Sequence, residues 1–177
     1  YLGSSPSFKK SYVRIGEEKF TYSINMSSYE ISTKATDWYN KNIFDIQKQD
    51  VKKITFKKLA LISKNGKFEI EKLSPDRKVN KKLVRQAVTT AIKPEFEDVV
   101  TTDKNKLTKG KVILSYEVET NKEKVKFTFT NQKPKNLSKE DDDAYLNFLI
   151  LKTSKYPYYF KVRKTSIENL IDLSSNT

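Results

Sequence analysis

The 177-residue chain contains no cysteine and no histidine. The first absence excludes disulfides and thiol chemistry. The second removes the usual general base, the commonest metal ligand and the usual partner of a serine or cysteine nucleophile. Catalysis would have to rest on carboxylates or lysine, so the expectation is a binding module with no catalytic residues, no cofactor and no metal. No apolar run approaches the roughly 18 residues of a membrane-crossing helix. Arginine occurs only at Arg14, Arg77, Arg85 and Arg163. That scarcity weighs against reading of nucleic-acid bases, for which its planar fork suits better than lysine. No zinc-finger, helix-turn-helix or ribonucleoprotein signature is present either.

What is there is a lean, aromatic core and a lopsided charge. Hydrophobic residues make up 36% and charged residues 32%, with ten Tyr and ten Phe. The net charge is +13, and residues 41–93 hold fifteen Lys and Arg against five Asp and Glu. One segment is therefore basic while the rest is near neutral, which favours an anionic partner. The candidate residues for that surface are Lys52, Lys53, Lys57, Lys58, Lys78, Lys81, Lys82 and Arg85.

The opening residues 1–10, with Leu2-Gly3-Ser4-Ser5-Pro6-Ser7, read as a linker, and a removed anchor or signal upstream is the expectation. Tyr12-Val13-Arg14-Ile15 and Phe20 to Ile24 alternate around Gly16-Glu17-Glu18, which predicts a hairpin. Ser27-Ser28 is placed to cap a helical turn holding Tyr29 and Ile31, and Thr36 to cap a turn beginning at Asp37. Trp38, the single tryptophan, is expected in the core beside Ile43, Phe44 and Ile46. Val51 to Ile62 reads as a strand with Ile54 and Phe56 inward and Lys53 and Lys57 outward. Asn65-Gly66 is the strongest short hairpin signal. On the return strand Phe68 and Ile70 share one face, while Glu69 and Glu71 share the other and are expected to offset cross-strand lysines.

Ser74-Pro75-Asp76 breaks the strand. Asn80 then caps a predicted helix running to about Ile92, with Leu83, Val84, Ala87, Val88 and Ala91 as its apolar stripe and Pro94 beyond its end. Lys111 to Thr120 and Val125 to Asn131 predict a third hairpin. Lys133 to Asp143 reads as a polar loop whose Glu140-Asp141-Asp142-Asp143 lacks the glycine and terminal glutamate of an EF-hand. Tyr145 to Lys152 and Tyr158 to Arg163 predict a fourth hairpin, closed by a Ser166-capped turn with Ile167, Leu170 and Ile171. Phe20 to Ile31 echoes Tyr158 to Asn169. The expected fold is therefore α+β, antiparallel hairpins with short helices, in two related modules spanning 11–100 and 101–177, with a single compact unit formed by the two as the alternative.

Several stretches, in order, resemble the bacterial domain-of-unknown-function family DUF4340. Tyr12-Val13-Arg14-Ile15-Gly16 is similar to its recurring first hairpin, and Asp37-Trp38-Tyr39-Asn40-Lys41 to its tryptophan signature, with Tyr39 where arginine is usual. Ile43-Phe44-Asp45 and Asp50-Val51-Lys52-Lys53-Ile54 follow. So do Gly66 to Lys72, with Phe68 where tryptophan is usual, the helix Val79 to Ile92, and Tyr158 to Val162. The resemblance implies a membrane-tethered domain outside the cytoplasm, periplasmic or at the cell surface. It also implies envelope proteins as partners, among them components of ABC-type transport systems. It carries no catalytic residues. The alternative from another class is a nucleic-acid binder using the basic segment 41–93.

Overall fold

The computed structural model describes residues 1–3, 7, 9–27, 32, 34–44, 46–72 and 80–175, which fall into two units, Tyr1–Tyr39 and Asn40–Thr177. In the first unit the expected hairpin forms. Strands β1 (Ser11–Val13) and β2 (Tyr22–Ile24) pair antiparallel, with Ser11 opposite Ile24 and Val13 opposite Tyr22. Gly16 adopts φ +50° in the connection, a conformation glycine takes without strain. Residues assigned to a linker extend this pair: the Gly3 N–H donates to the Tyr12 carbonyl at 2.8 Å. The strands are shorter than the alternation suggested, because few of their side chains find cover; Tyr12, Ile15, Phe20 and Tyr22 are all exposed.

The second unit is built on one antiparallel sheet. Its strands are β3 (Val51–Phe56), β4 (Ala60–Lys64), β5 (Lys67–Ile70), β6 (Asp98–Thr101), β7 (Val112–Thr120), β8 (Lys124–Thr130), β9 (Phe148–Thr153) and β10 (Tyr159–Arg163). Their spatial order is β5-β4-β3-β7-β8-β9-β10-β6. Two meanders, β3 to β5 and β7 to β10, join where β3 pairs with β7, and β6 closes the far edge on β10. The sheet thus draws strands from both sides of residue 100.

Alternation fixes which face is buried. Ile54, Leu61, Tyr116, Val118, Val125, Phe127, Phe129, Leu151 and Phe160 lie on one face and are almost wholly buried. Helix α1 (Lys81–Ile92) packs with α3 (Glu168–Ser175), α1 also meeting β5 and α3 meeting β7. Asn80 caps α1 as expected, its side-chain oxygen accepting from the N–H groups of Lys82 and Leu83 at 3.1 Å each. Val84, Ala87, Val88 and Ala91 are buried. The Tyr116 hydroxyl donates to the Ala91 carbonyl at 3.1 Å, satisfying an end-of-helix oxygen. Phe44 is 3% exposed and meets the rings of Phe96, Phe127, Tyr156 and Phe160 at centroid distances of 4.9–5.9 Å.

Several expectations are corrected. Trp38 is 67% exposed, its indole N–H donating to the Ser32 carbonyl at 2.9 Å, so Phe44 and not Trp38 is the aromatic anchor. The single 3-10 turn there is Ala35–Trp38, and Thr36 lies inside it rather than capping it. Val51 to Ile62 is not one strand: Lys57, Lys58 and Leu59 form a turn, with the Phe56 N–H donating to the Leu59 carbonyl at 2.7 Å. The buried positions reveal why, since Ile54 and Phe56 keep period two and Leu59 and Leu61 resume it out of phase. The end of the expected loop 133–143 is helix α2 (Lys139–Ala144), capped by Ser138 and with acids in its first turn, where the helix dipole favours them. The final turn is longer than expected, and the Ser166 hydroxyl donates to the Arg163 carbonyl instead of capping it. The expected turn at Ser28, Tyr29 and Ile31 and the break at Ser74 to Asp76 lie outside the described residues.

Candidate functional site

The basic residues singled out in the sequence divide into three places. Lys52 and Lys53 are on β3, Lys52 at a bulge against β7. Lys57 and Lys58 occupy the β3–β4 turn, so Lys57 is not on the sheet face with Lys53. Lys81, Lys82 and Arg85 share the outward side of α1, where cations at an N-terminus oppose the helix dipole. Lys78 lies outside the described residues. Lys53 is engaged, its ammonium meeting the Glu71 carboxylate at 2.7 Å. Lys52, Lys57, Lys58, Lys81, Lys82 and Arg85 are exposed and make no ion pair with any described residue.

Two of the eight come together, in a depression of about 250 Å³ at the end of β3, β4 and β5. Register explains it. Thr55 lies opposite Ala60, Lys53 lies opposite Ile62, and the Glu71 N–H donates to the Ala60 carbonyl at 2.8 Å. Lys53, Thr55, Ala60 and Glu71 therefore share the face away from the core. The Lys53–Glu71 pair crosses β4 diagonally, over the one small side chain there. Lys58 and Lys72 stand around the same depression, with Leu59 and Ile70 among its lining. Lys72 and Ala60 were missed in the sequence; the signal was an alanine in a strand of larger residues.

The carboxylates of this face are neutralised. Glu69 lies 3.6 Å from Lys64, and Lys124 reaches Glu119 at 3.1 Å and Glu117 at 3.8 Å. The hydrogen bond that Lys53 donates holds the Glu71 carboxyl below its usual range, and the one that Lys124 donates to Glu119 raises the Lys124 ammonium above its own. The expectation that Glu69 and Glu71 offset neighbouring lysines is met. Among the described residues no three carboxylates converge where an ion could sit.

A second cluster was not foreseen. On the same side of the sheet, at its other end, the Lys161 ammonium lies 4.0 Å from the centre of the Phe148 ring and 4.8 Å from that of Tyr145. Arg163 sits over Phe148 at 5.4 Å and donates through Nε to Glu97 at 2.7 Å. Burial, and then the nearby Asp98, push the Tyr145 hydroxyl up to about 12. Burial also lowers the Lys152 ammonium, which donates to the Tyr156 carbonyl at 2.7 Å. Both rings are met by the chain's own cations, which tie Tyr145 and β9 to β10 and, through Glu97, β10 to the residue before β6.

Residues 1–109 match a family described as domain of unknown function (DUF4340). No curated protein and no solved structure matches the chain. The matched span takes in the β1–β2 pair, the Asp37-Trp38 signature, the basic strands, α1 and β6, while the Tyr158 to Val162 likeness lies beyond it. With well over half its length inside that match, the chain belongs to the DUF4340 family.

Proposed function

We propose that this protein is a non-catalytic module that binds other proteins of an envelope or ABC-type transport system, held at the membrane and acting outside the cytoplasm. The observation that supports binding is the set of exposed, unpaired cations at Lys52, Lys57, Lys58, Lys81, Lys82 and Arg85, beside carboxylates that are each already countered. Charge left over in this way is available to an acidic partner. A carboxylate hydrolase would need two such groups across a cleft, whereas Glu69, Glu71, Glu117 and Glu119 lie in ion pairs on a sheet face. The transport setting and the tether come from the family resemblance alone.

The test is a pull-down from gently solubilised envelope with the protein under native expression. Recovery of a transporter permease or its companion is expected. Charge reversal at the six cations should abolish it. The same cations would also meet a phosphate backbone, so low-salt binding to DNA and RNA is measured in parallel. Recovery of nucleic acid, or a protein found only in the cytoplasm, overturns the proposal in favour of a nucleic-acid binder.

A further inference from the structure

β5 ends the sheet, so among the described residues one side of its backbone meets no neighbouring strand. Which groups face outward follows from the hairpin. Lys64 and Lys67 flank the two-residue Asn65-Gly66 turn and pair directly, and the Glu71 N–H donates to the Ala60 carbonyl at 2.8 Å. Residues 67, 69 and 71 thus bond to β4, and the N–H and C=O groups of Phe68 and Ile70 point away from it. Beside that edge stand Lys58, Lys64, Lys67 and Lys72, with Lys53 reaching across to Glu71. Glu69 in β5 and Glu71 just after it are both countered, so the edge carries a positive surplus. Identical edges of this charge repel one another, which guards against self-pairing. An acidic strand meets no such barrier.

We propose that the β5 edge and the depression over Ala60 form a docking site for an extended acidic segment of a partner protein. The segment adds as a further antiparallel strand on Phe68 and Ile70. Its carboxylates on the outer face meet Lys58 and Lys72, the two long side chains that line the depression. Backbone pairing supplies affinity, and the lysines select the charge. The site rests on the protein-binding function proposed above and specifies its partner class.

The probe is a labelled heptapeptide of alternating valine and glutamate, titrated into the full chain by fluorescence anisotropy. Two controls accompany it: the same peptide with lysine for glutamate, and one with alternate peptide nitrogens methylated so that it cannot pair. The acidic peptide should bind at least about tenfold tighter than either. Reversing two exposed cations, K58E with K72E, should weaken it about tenfold and improve the lysine peptide. Hydrogen exchange at the Phe68 and Ile70 amides should slow on binding, while that at Glu69, already bonded to β4, should not. Equal binding of the three peptides, or binding without protection of those two amides, overturns the site. So does strong protection of Phe68 and Ile70 in the free protein at low concentration, which would mean the edge is already covered. Peptide binding without any envelope partner in the pull-down would leave the site standing and remove the transport setting. A recovered partner whose binding ignores K58E/K72E would do the reverse.

Discussion

Replacing Phe44 by alanine tests the core more directly than any other single change. The ring is 3% exposed and sits against four others, from Phe96, Phe127, Tyr156 and Phe160. Returning it to water forfeits about 1.5–3 kcal/mol. The four surrounding rings belong to β8, β10, the β9–β10 connection and the segment after α1, so they cannot close the gap, and the cavity brings the total to about 3–5 kcal/mol. For a unit of this size that lowers the melting temperature by roughly 10–20 °C. Trp38→Ala is the contrast. Its side chain is 67% exposed and loses one hydrogen bond to the Ser32 carbonyl, so about 1 kcal/mol or less is expected. Thermal unfolding followed by circular dichroism measures both. A Trp38 variant at least as damaging as the Phe44 variant would refute the placement of the core. Tryptophan emission checks the same point: the folded protein should emit as a solvated indole, be readily quenched by iodide, and shift little on unfolding.

Asn80→Ala should cost about 1 kcal/mol through the lost cap on α1, whereas Asn80→Asp should match or exceed the natural residue, because a carboxylate there also favours the dipole and the adjacent Lys81 and Lys82; urea denaturation distinguishes them. Burial pushes the Tyr116 hydroxyl well above the usual tyrosine range, so the unfolded chain loses its proton first as pH rises past 10 and stability falls there. Tyr116→Phe should therefore be about 1 kcal/mol less stable than the natural protein at neutral pH, with the gap shrinking above pH 10; an unchanged gap would contradict the buried hydroxyl. At Gly110 an added Cβ would lie 2.6 Å from Gln132 Cγ and 2.8 Å from its backbone nitrogen, so Gly110→Ala should destabilise by about 1–3 kcal/mol in the same assay.

The parts of this fold that were legible in the sequence are those whose signals are local. Asn80 before an apolar stripe, and Asn65-Gly66 between alternating runs, each specify a structure within a few residues, and both formed with Asn65 at φ 50° and Gly66 at φ 74°. The β7–β8 pair was equally plain, because each strand alternates without a break, with Leu114, Tyr116 and Val118 inward on one and Val125, Phe127 and Phe129 inward on the other. Trp38 misled because size and scarcity are not burial; whether a large ring is covered depends on what tertiary structure brings to it, and nothing local encodes that. The turn at Lys57-Lys58-Leu59 was hidden by its composition, lacking Gly, Pro, Asn and Asp, although the slip in apolar phase marked it. For the site, residue type predicted the basic character of β3 and α1. It could not reveal that Lys53 is consumed by Glu71, nor that Lys72 and Ala60 complete a depression with Lys58, since those relations arise only when three strands are laid side by side.

The order of the strands has a consequence for how the chain can be divided. The family match ends at residue 109, yet β3 finds its second neighbour in β7 and β6 finds its neighbour in β10, both beyond that point. A fragment stopping there would hold the two flanks of a sheet without its middle. β3 would keep one raw edge, β6 would have nothing to bond, and α1 would lose both α3 and the Tyr116 hydroxyl on its last turn. The part of the family match that lies in the second unit is thus not self-sufficient in this protein; its strands complete a sheet only when the later four arrive between them.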